Sequence, residues 1–256
     1  MIFDTHAHYD DEDFDLDRDE LLLGMKAAGV SHIVNIGASL ESTKRSLELA
    51  KKYDFIYAAV GVHPSDTTEL NEETFSWLKQ QCKEERVVAV GEIGLDYYWD
   101  EPDRAIQKEW FARQIALGRE EKLPLVIHSR DAAADTIDIM KSEKAEEAGG
   151  ILHCFSYTKE TAKIFLDMDF SFGIGGVITF KNAKKLKEAV EYIPMEKIVI
   201  ETDCPYLSPE PNRGKRNSSL NLPYVIKAIA EIKNLPEEEV LRITYENAKK
   251  LYRINE

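Results

Sequence analysis

Eight short apolar runs, each followed by a longer amphipathic stretch, restrict this chain to very few architectures. The runs cover residues 2–5, 32–36, 56–60, 87–91, 125–127, 151–152, 170–174 and 198–202. Their hydrophobicity is continuous, not alternating, as in parallel strands buried on both faces. Helical periodicity fills the intervals at 18–28, 41–52, 72–84, 103–121, 131–142, 158–167, 182–190 and 220–232, and a last helix over 237–251 follows Pro236. Parallel strands need crossovers, and eight strand–helix units close naturally on themselves. The expected fold is α/β, a (β/α)8 TIM barrel, with a doubly wound open sheet as the competing topology. The length of 256 residues suits one such barrel, and no linker or low-complexity tract interrupts it. Residues 1–256 are therefore expected to form a single domain.

Composition narrows the function classes. No apolar run approaches the ~18 residues of a membrane span, and the start, Met1-Ile2-Phe3-Asp4-Thr5, has neither a basic region nor a signal-peptide core. A cytoplasmic protein with no membrane association is expected. Cys82, Cys154 and Cys204 are odd in number and widely spaced, which argues against a disulfide framework or a structural zinc site. The net charge of -14 argues mildly against non-specific nucleic-acid binding but leaves a local basic patch possible. Eight of the eleven residues from Asp10 to Glu20 are acidic. Without EF-hand spacing they read as a solvated loop entering a helix N-terminus. Nothing points to an obligate protein partner, and a monomer is expected.

The histidines are distributed unevenly. His6 and His8 follow the first predicted strand, His63 the third, His128 the fifth and His153 the sixth, while His32 sits at a strand start. The C-terminal ends of barrel strands carry active sites, and the opposite face serves stability. In Asp4-Thr5-His6-Ala7-His8 the two imidazoles, two residues apart on a strand, point the same way into the barrel mouth. Asp4 is expected on that face, orienting a ligand. Glu92 and Asp203 end the fourth and eighth predicted strands. A carboxylate in a closed mouth must be paired or metal-bound. Asp96 and Glu201 read as structural or supporting acids. His6, His8, His128 and His153 with Glu92 and Asp203 are too many ligands for one tetrahedral ion and enough for two divalent cations sharing a bridge. Mixed imidazole and carboxylate ligands suit zinc, manganese, cobalt or nickel better than magnesium. His63, followed by Pro64, reads as a substrate-binding donor; ligation or a structural role is the alternative.

These segments resemble the TatD family of metal-dependent deoxyribonucleases, within the amidohydrolase superfamily. The resemblance runs in order through Asp4-Thr5-His6-Ala7-His8, Gly61-Val62-His63-Pro64, Gly91-Glu92-Ile93-Gly94-Leu95-Asp96-Tyr97, Ile127-His128-Ser129-Arg130, His153-Cys154-Phe155-Ser156, Glu201-Thr202-Asp203-Cys204-Pro205-Tyr206-Leu207 and Arg213-Gly214-Lys215-Arg216-Asn217. It implies one metal site from His6, His8, Glu92 and Asp203, and a second from Glu92, His128 and His153, with Glu92 bridging. It also implies that His63 meets the scissile phosphate. Glu92 stands where other superfamily branches often carry a carboxylated lysine. Tyr9 and Cys204 depart from the commoner aliphatic and small residues without removing a ligand.

The expected activity is phosphodiester hydrolysis on a DNA substrate, of the 3′–5′ exonuclease type, by a water activated between two metal ions (zinc, manganese or magnesium). Asp203 is the expected proton acceptor, with Glu92 and His63 also catalytic. Ester or amide hydrolysis, such as aminoacyl-tRNA deacylation, is the alternative, and a metal-retaining binding protein without turnover is a remoter one. Arg213, Lys215 and Arg216 read equally as a backbone-contacting loop or one tied down by arginine hydrogen bonds. Lys181, Lys184, Lys185 and Lys187 read as a solvated helix face. Gly173, Gly175 and Gly176 admit a ligand's approach or make a tight turn. Tyr97, Tyr98 and Trp99 are candidates for base stacking, against loop packing.

Overall fold

The chain adopts an eight-stranded parallel barrel in a computed structural model, which describes residues 1–99 and 101–254. The strands are β1 (Ile2–Ala7), β2 (Val30–Ile36), β3 (Ile56–Val60), β4 (Val87–Asp96), β5 (Leu125–Arg130), β6 (Gly150–Leu152), β7 (Ser171–Ile174) and β8 (Ile198–Ile200), and each pairs with the next. The outer helices are α1 (Arg18–Gly24), α2 (Leu40–Lys52), α3 (Glu72–Gln81), α4 (Arg104–Glu121), α5 (Ala133–Ser142), α6 (Lys159–Asp167), α7 (Lys184–Tyr192) and α8 (Leu222–Lys233). The open-sheet alternative is thereby set aside.

Two cores follow from the strand alternation. Residues such as Ile33, Ile56, Val90 and Ile127 pack outward under the helices. Phe3, Val34, Tyr57, Val126 and Val199 fill the barrel together with Tyr245, Ala248 and Tyr252 of α9 (Glu237–Tyr252). Helix α9 thus closes the floor, and the Tyr252 hydroxyl donates to Thr5 O. His32, at the floor, stacks on Phe3.

The β1–β8 seam is nearly closed. It consists of one bridge, Ala7 to Cys204, and backbone hydrogen bonds from Asp203 N to His6 O (2.9 Å) and His8 N to Cys204 O (2.8 Å). Asp4 reinforces it. Its carboxylate accepts from Thr202 N (3.0 Å), Thr202 Oγ1 (2.7 Å) and Ser219 Oγ (2.6 Å).

Several boundaries differ from the sequence reading. Strand β4 runs to Asp96, so Glu92 lies inside it and not at its end. Strand β5 continues through His128 to Arg130, and β8 stops at Ile200, leaving Glu201 to Asp203 irregular. Helix α1 stops at Gly24, short of the predicted residue 28. Among the described residues no helix is long and apolar enough to cross a membrane.

Candidate metal centre

The mouth is built by short extensions beyond the regular strands. His6 and His8 come from β1 and the residue after it. Glu92 comes from β4, His128 from β5, His153 from just past β6 and Asp203 from the seam. All six predicted ligands and His63 meet around a cleft of about 650 Å³. That size accommodates a small ligand.

Glu92 lies at the centre, with its two carboxylate oxygens facing different partners. Oε2 is 3.4 Å from His6 Nε2 and 3.7 Å from His8 Nε2. Oε1 is 2.7 Å from His128 Nδ1, 3.1 Å from His153 Nε2 and 3.9 Å from His63 Nε2. Asp203 Oδ1 completes the first group, 3.6 Å from His6 Nε2 and 3.4 Å from His8 Nε2, and the two imidazole nitrogens are 3.1 Å apart. The 2.7 Å contact of Glu92 Oε1 with His128 Nδ1 is an ordinary charge-assisted hydrogen bond, whereas the separations within the first group, 3.1–3.7 Å, are longer. They match the edges, about 3.4 Å, of a ligand tetrahedron around an ion with bonds of ~2.0–2.1 Å. The donor set therefore fits a divalent cation.

His8, His128 and His153 are oriented from behind. His8 Nδ1 donates to Ile36 O (3.0 Å), so its other nitrogen can present a lone pair to the cleft. His153 Nδ1 faces Glu201 Oε1 at 3.2 Å, and His128 Nε2 faces Asp96 Oδ2 at 3.1 Å. Asp96 and Glu201 therefore support the ligands, as the sequence reading expected. Glu201 is fully buried and also accepts from Cys154 N (2.6 Å). His6 Nδ1 and Glu201 Oε2 have no hydrogen-bond partner among the described residues. A Cβ on Gly173 would come within 2.0 Å of Glu201 Oε2, so this glycine makes room for a supporting acid. Gly176 similarly admits Leu207 O.

The electrostatics are set by close contact between acids and histidines. Burial alone would favour neutral histidines. For His8, contact with Asp203 overrides burial and raises its pKa to about 9. Burial of His153 is likewise overridden by Glu92 and Glu201, which hold it well above the usual range. Burial tends to raise the pKa of Glu92, but His153 and His128 pull it well below normal. His63 differs: burial and His128 push it down to about 3. Its Nδ1 lies 3.2 Å from Ser65 N and 2.7 Å from Ser65 Oγ, which itself donates to Asp66 Oδ2 (2.6 Å), and its Nε2 faces Glu92 across the cleft.

One expectation is corrected, and for two residues the structure selects between the stated alternatives. Asp4 contacts the His6 backbone N–H (3.3 Å), not an imidazole. The β1–β2 register shifts between Asp4 and Ala7, which breaks the simple alternation and turns Asp4 to the seam. Arg216 forms a fork on Asp17, 2.8 Å at one arm, and covers Phe14, so the tied-loop reading holds for it. Tyr97 is engaged by its hydroxyl with Asp135 (2.6 Å). Sequence reasoning did not single out the Ile36 and Ser65 contacts or Arg130.

The sequence matches the TatD related DNase family over residues 3–253. It is 49% identical over 255 residues to the metal-dependent hydrolase YabD of Bacillus subtilis (strain 168), covering 100% of both chains. It is 32% identical over 257 residues to the 3′-5′ ssDNA/RNA exonuclease TatD of Cronobacter sakazakii, covering 98% of this chain and 97% of that one. The crystal structure of YjjV, a TatD homologue from Escherichia coli K12, superposes with a TM-score of 0.93 at 28% identity, covering 99% of this chain and 98% of that one.

Proposed function

This chain belongs to the TatD-related family of metal-dependent hydrolases, and we propose that it is a deoxyribonuclease cleaving phosphodiester bonds from a 3′ end with two divalent cations. The observation that carries the two-ion reading is the division of Glu92: Oε2 faces His6 and His8, and Oε1 faces His128 and His153. His6, His8, Glu92 and Asp203 would hold one ion, and Glu92, His128 and His153 the other. Imidazole-rich ligation favours zinc or manganese over magnesium. The exonuclease activity named for the Cronobacter sakazakii relative supports the choice of substrate.

Bound ions would supply a water of lowered pKa and neutralise charge growing on phosphate oxygens. Asp203 is part-exposed in the cleft and is held ionised, with burial opposed by contact to His8. It accepts the proton of the attacking water. His63 donates its Nε2 proton to a non-bridging phosphate oxygen. Glu92, as the shared carboxylate, fixes the spacing of the two ligand groups. Glu201 and Asp96 keep His153 and His128 turned inward.

The test is cleavage of 5′-labelled single-stranded DNA by protein stripped of metal and reloaded with magnesium, manganese or zinc. A ladder shortening from the 3′ end, lost in Glu92→Ala and Asp203→Asn, is expected. No cleavage with any metal, alongside turnover of a carboxylic ester, would move the substrate to acyl compounds and overturn the nuclease reading.

A further inference from the structure

The cleft lining is acidic on most sides, with Asp66 after β3 and Asp96 at the end of β4, and carries one cation. Asp10 and Asp11 follow β1, and Arg130 ends β5, halfway round the eight-stranded ring. Apart from histidine, Arg130 is the only basic residue among the described residues lining the cleft. It shares the strand face of His128, two residues on, and so stands about 6–7 Å farther out along β5. Its guanidinium lies 3.8 Å from the centre of the Tyr98 ring. It makes no ion pair or side-chain hydrogen bond among the described residues, so its five donors are available, while the ring holds its plane in place. Elsewhere at the mouth, Arg216 is committed to Asp17.

Trp99 adds a second feature. It is 66% exposed, lines the same cleft, and meets Tyr98 edge-on with ring centres 5.0 Å apart. An exposed indole at a polar cleft covers nothing in the fold. The segment is nonetheless anchored. Asp96 Oδ1 accepts from Tyr98 N (2.9 Å) and Trp99 N (3.4 Å), while Asp96 Oδ2 faces His128 Nε2. One carboxylate therefore sets the aromatic pair and a ligand histidine in fixed relation.

We propose that Arg130, Tyr98 and Trp99 form a nucleotide shelf beside the metal centre: Arg130 grips a phosphate next to the scissile one, and Trp99 stacks on an unpaired base. This inference rests on the nuclease reading and specifies how the strand lies. The phosphate chain leaves over the β4–β5 edge, because Arg130 is the one non-histidine cation in an otherwise acidic lining. Base faces in a duplex are covered by their neighbours, so the shelf selects a single strand. Arg130 and Trp99 are positioning and specificity residues, distinct from the groups around the reacting phosphorus.

The test uses the metal-loaded protein and a short fluorescein-labelled phosphorothioate oligothymidylate, which resists cleavage, titrated at several salt concentrations. Arg130→Gln and Trp99→Ala should each weaken binding about tenfold or more, in the range of single base–aromatic contacts. Arg130→Gln should also flatten the slope of log affinity against log salt by about 0.7, one phosphate contact on a single strand. Arg130→Lys should restore the slope, Trp99→Phe should retain most affinity, and Trp99→Ala should keep the wild-type slope. Unaltered affinity and slope in Arg130→Gln and Trp99→Ala would overturn the shelf and leave the nuclease reading intact. If wild-type protein neither binds the probe nor cleaves unmodified DNA with any metal, yet hydrolyses a carboxylic ester, the nuclease reading fails and takes the shelf with it.

Discussion

His63 separates two kinds of histidine in one cleft. His8, His128 and His153 are backed by a carbonyl or a carboxylate, whereas His63 is backed by the backbone N–H and hydroxyl of Ser65. Replacing it should leave the metal in place and remove one donor. His63→Ala is expected to lower turnover about 10²-fold, as for loss of one donor to a developing oxyanion, while the metal content measured by plasma mass spectrometry stays unchanged. A parallel fall in metal content would make His63 a ligand instead. Cys204, a departure from the family pattern, is fully buried, and burial drives its thiol pKa upward, so it is an inert core residue. Tyr9, the other departure, is buried with its hydroxyl 2.8 Å from Ser219 Oγ.

At the scale of elements, the seam between β1 and β8 is the least regular part of the barrel, and Asp4 holds it. Asp4→Ala would strand the hydrogen-bond donors of Thr202 and Ser219 in the interior and should cost about 2–4 kcal/mol in urea denaturation. Burial pushes the Asp4 carboxyl up to about 7, so the seam is already suited to a neutral group, and Asp4→Asn should cost distinctly less. Equal losses in the two variants would remove Asp4 from this role. The seam also marks where the sequence stops being legible. Histidines two residues apart at strand ends are readable, because strand periodicity and barrel polarity are local rules applied in order. The C-terminal end of β4 was not readable: Gly91 and Gly94 resemble strand breakers, yet a Cβ on Gly94 would lie 1.8 Å from His128 O, so glycine is what lets β4 and β5 continue side by side. Glu201 supports His153 across 48 residues, and Ile36 O fixes His8 across 28. Such pairings arise only when the ring closes, and no spacing in the chain announces them. Asp4 was misplaced for the related reason that a register shift is a property of two strands together.

For the whole molecule, an ion held by this cluster would couple occupancy to stability. An ion at a hundred times its dissociation constant adds about 2.7 kcal/mol, and each kcal/mol moves Tm by roughly 2–4 °C in chains approaching this length. Adding manganese or zinc to stripped protein should therefore raise Tm by about 5–11 °C, and Glu92→Gln should abolish most of that gain. The pH dependence has a definite sign. His8, raised to about 9, stabilises the metal-free fold through its proton below the unfolded value of 6.5, and this contribution is lost as pH rises through about 9. Metal must displace that proton, so the gain in Tm on loading should grow between pH 6.5 and 9. A gain that is flat or shrinks across this window would show that His8 stays protonated beside the ion. The seam has one more consequence, in time. During synthesis Asp203, which joins His6 and His8 across the Ala7–Cys204 bridge, is made roughly two hundred residues after them. The floor waits longer still, for Tyr252 to reach Thr5. A nascent chain that stops short of Asp203 therefore lacks part of the predicted ligand set, and the cluster can assemble only once that residue has joined the seam.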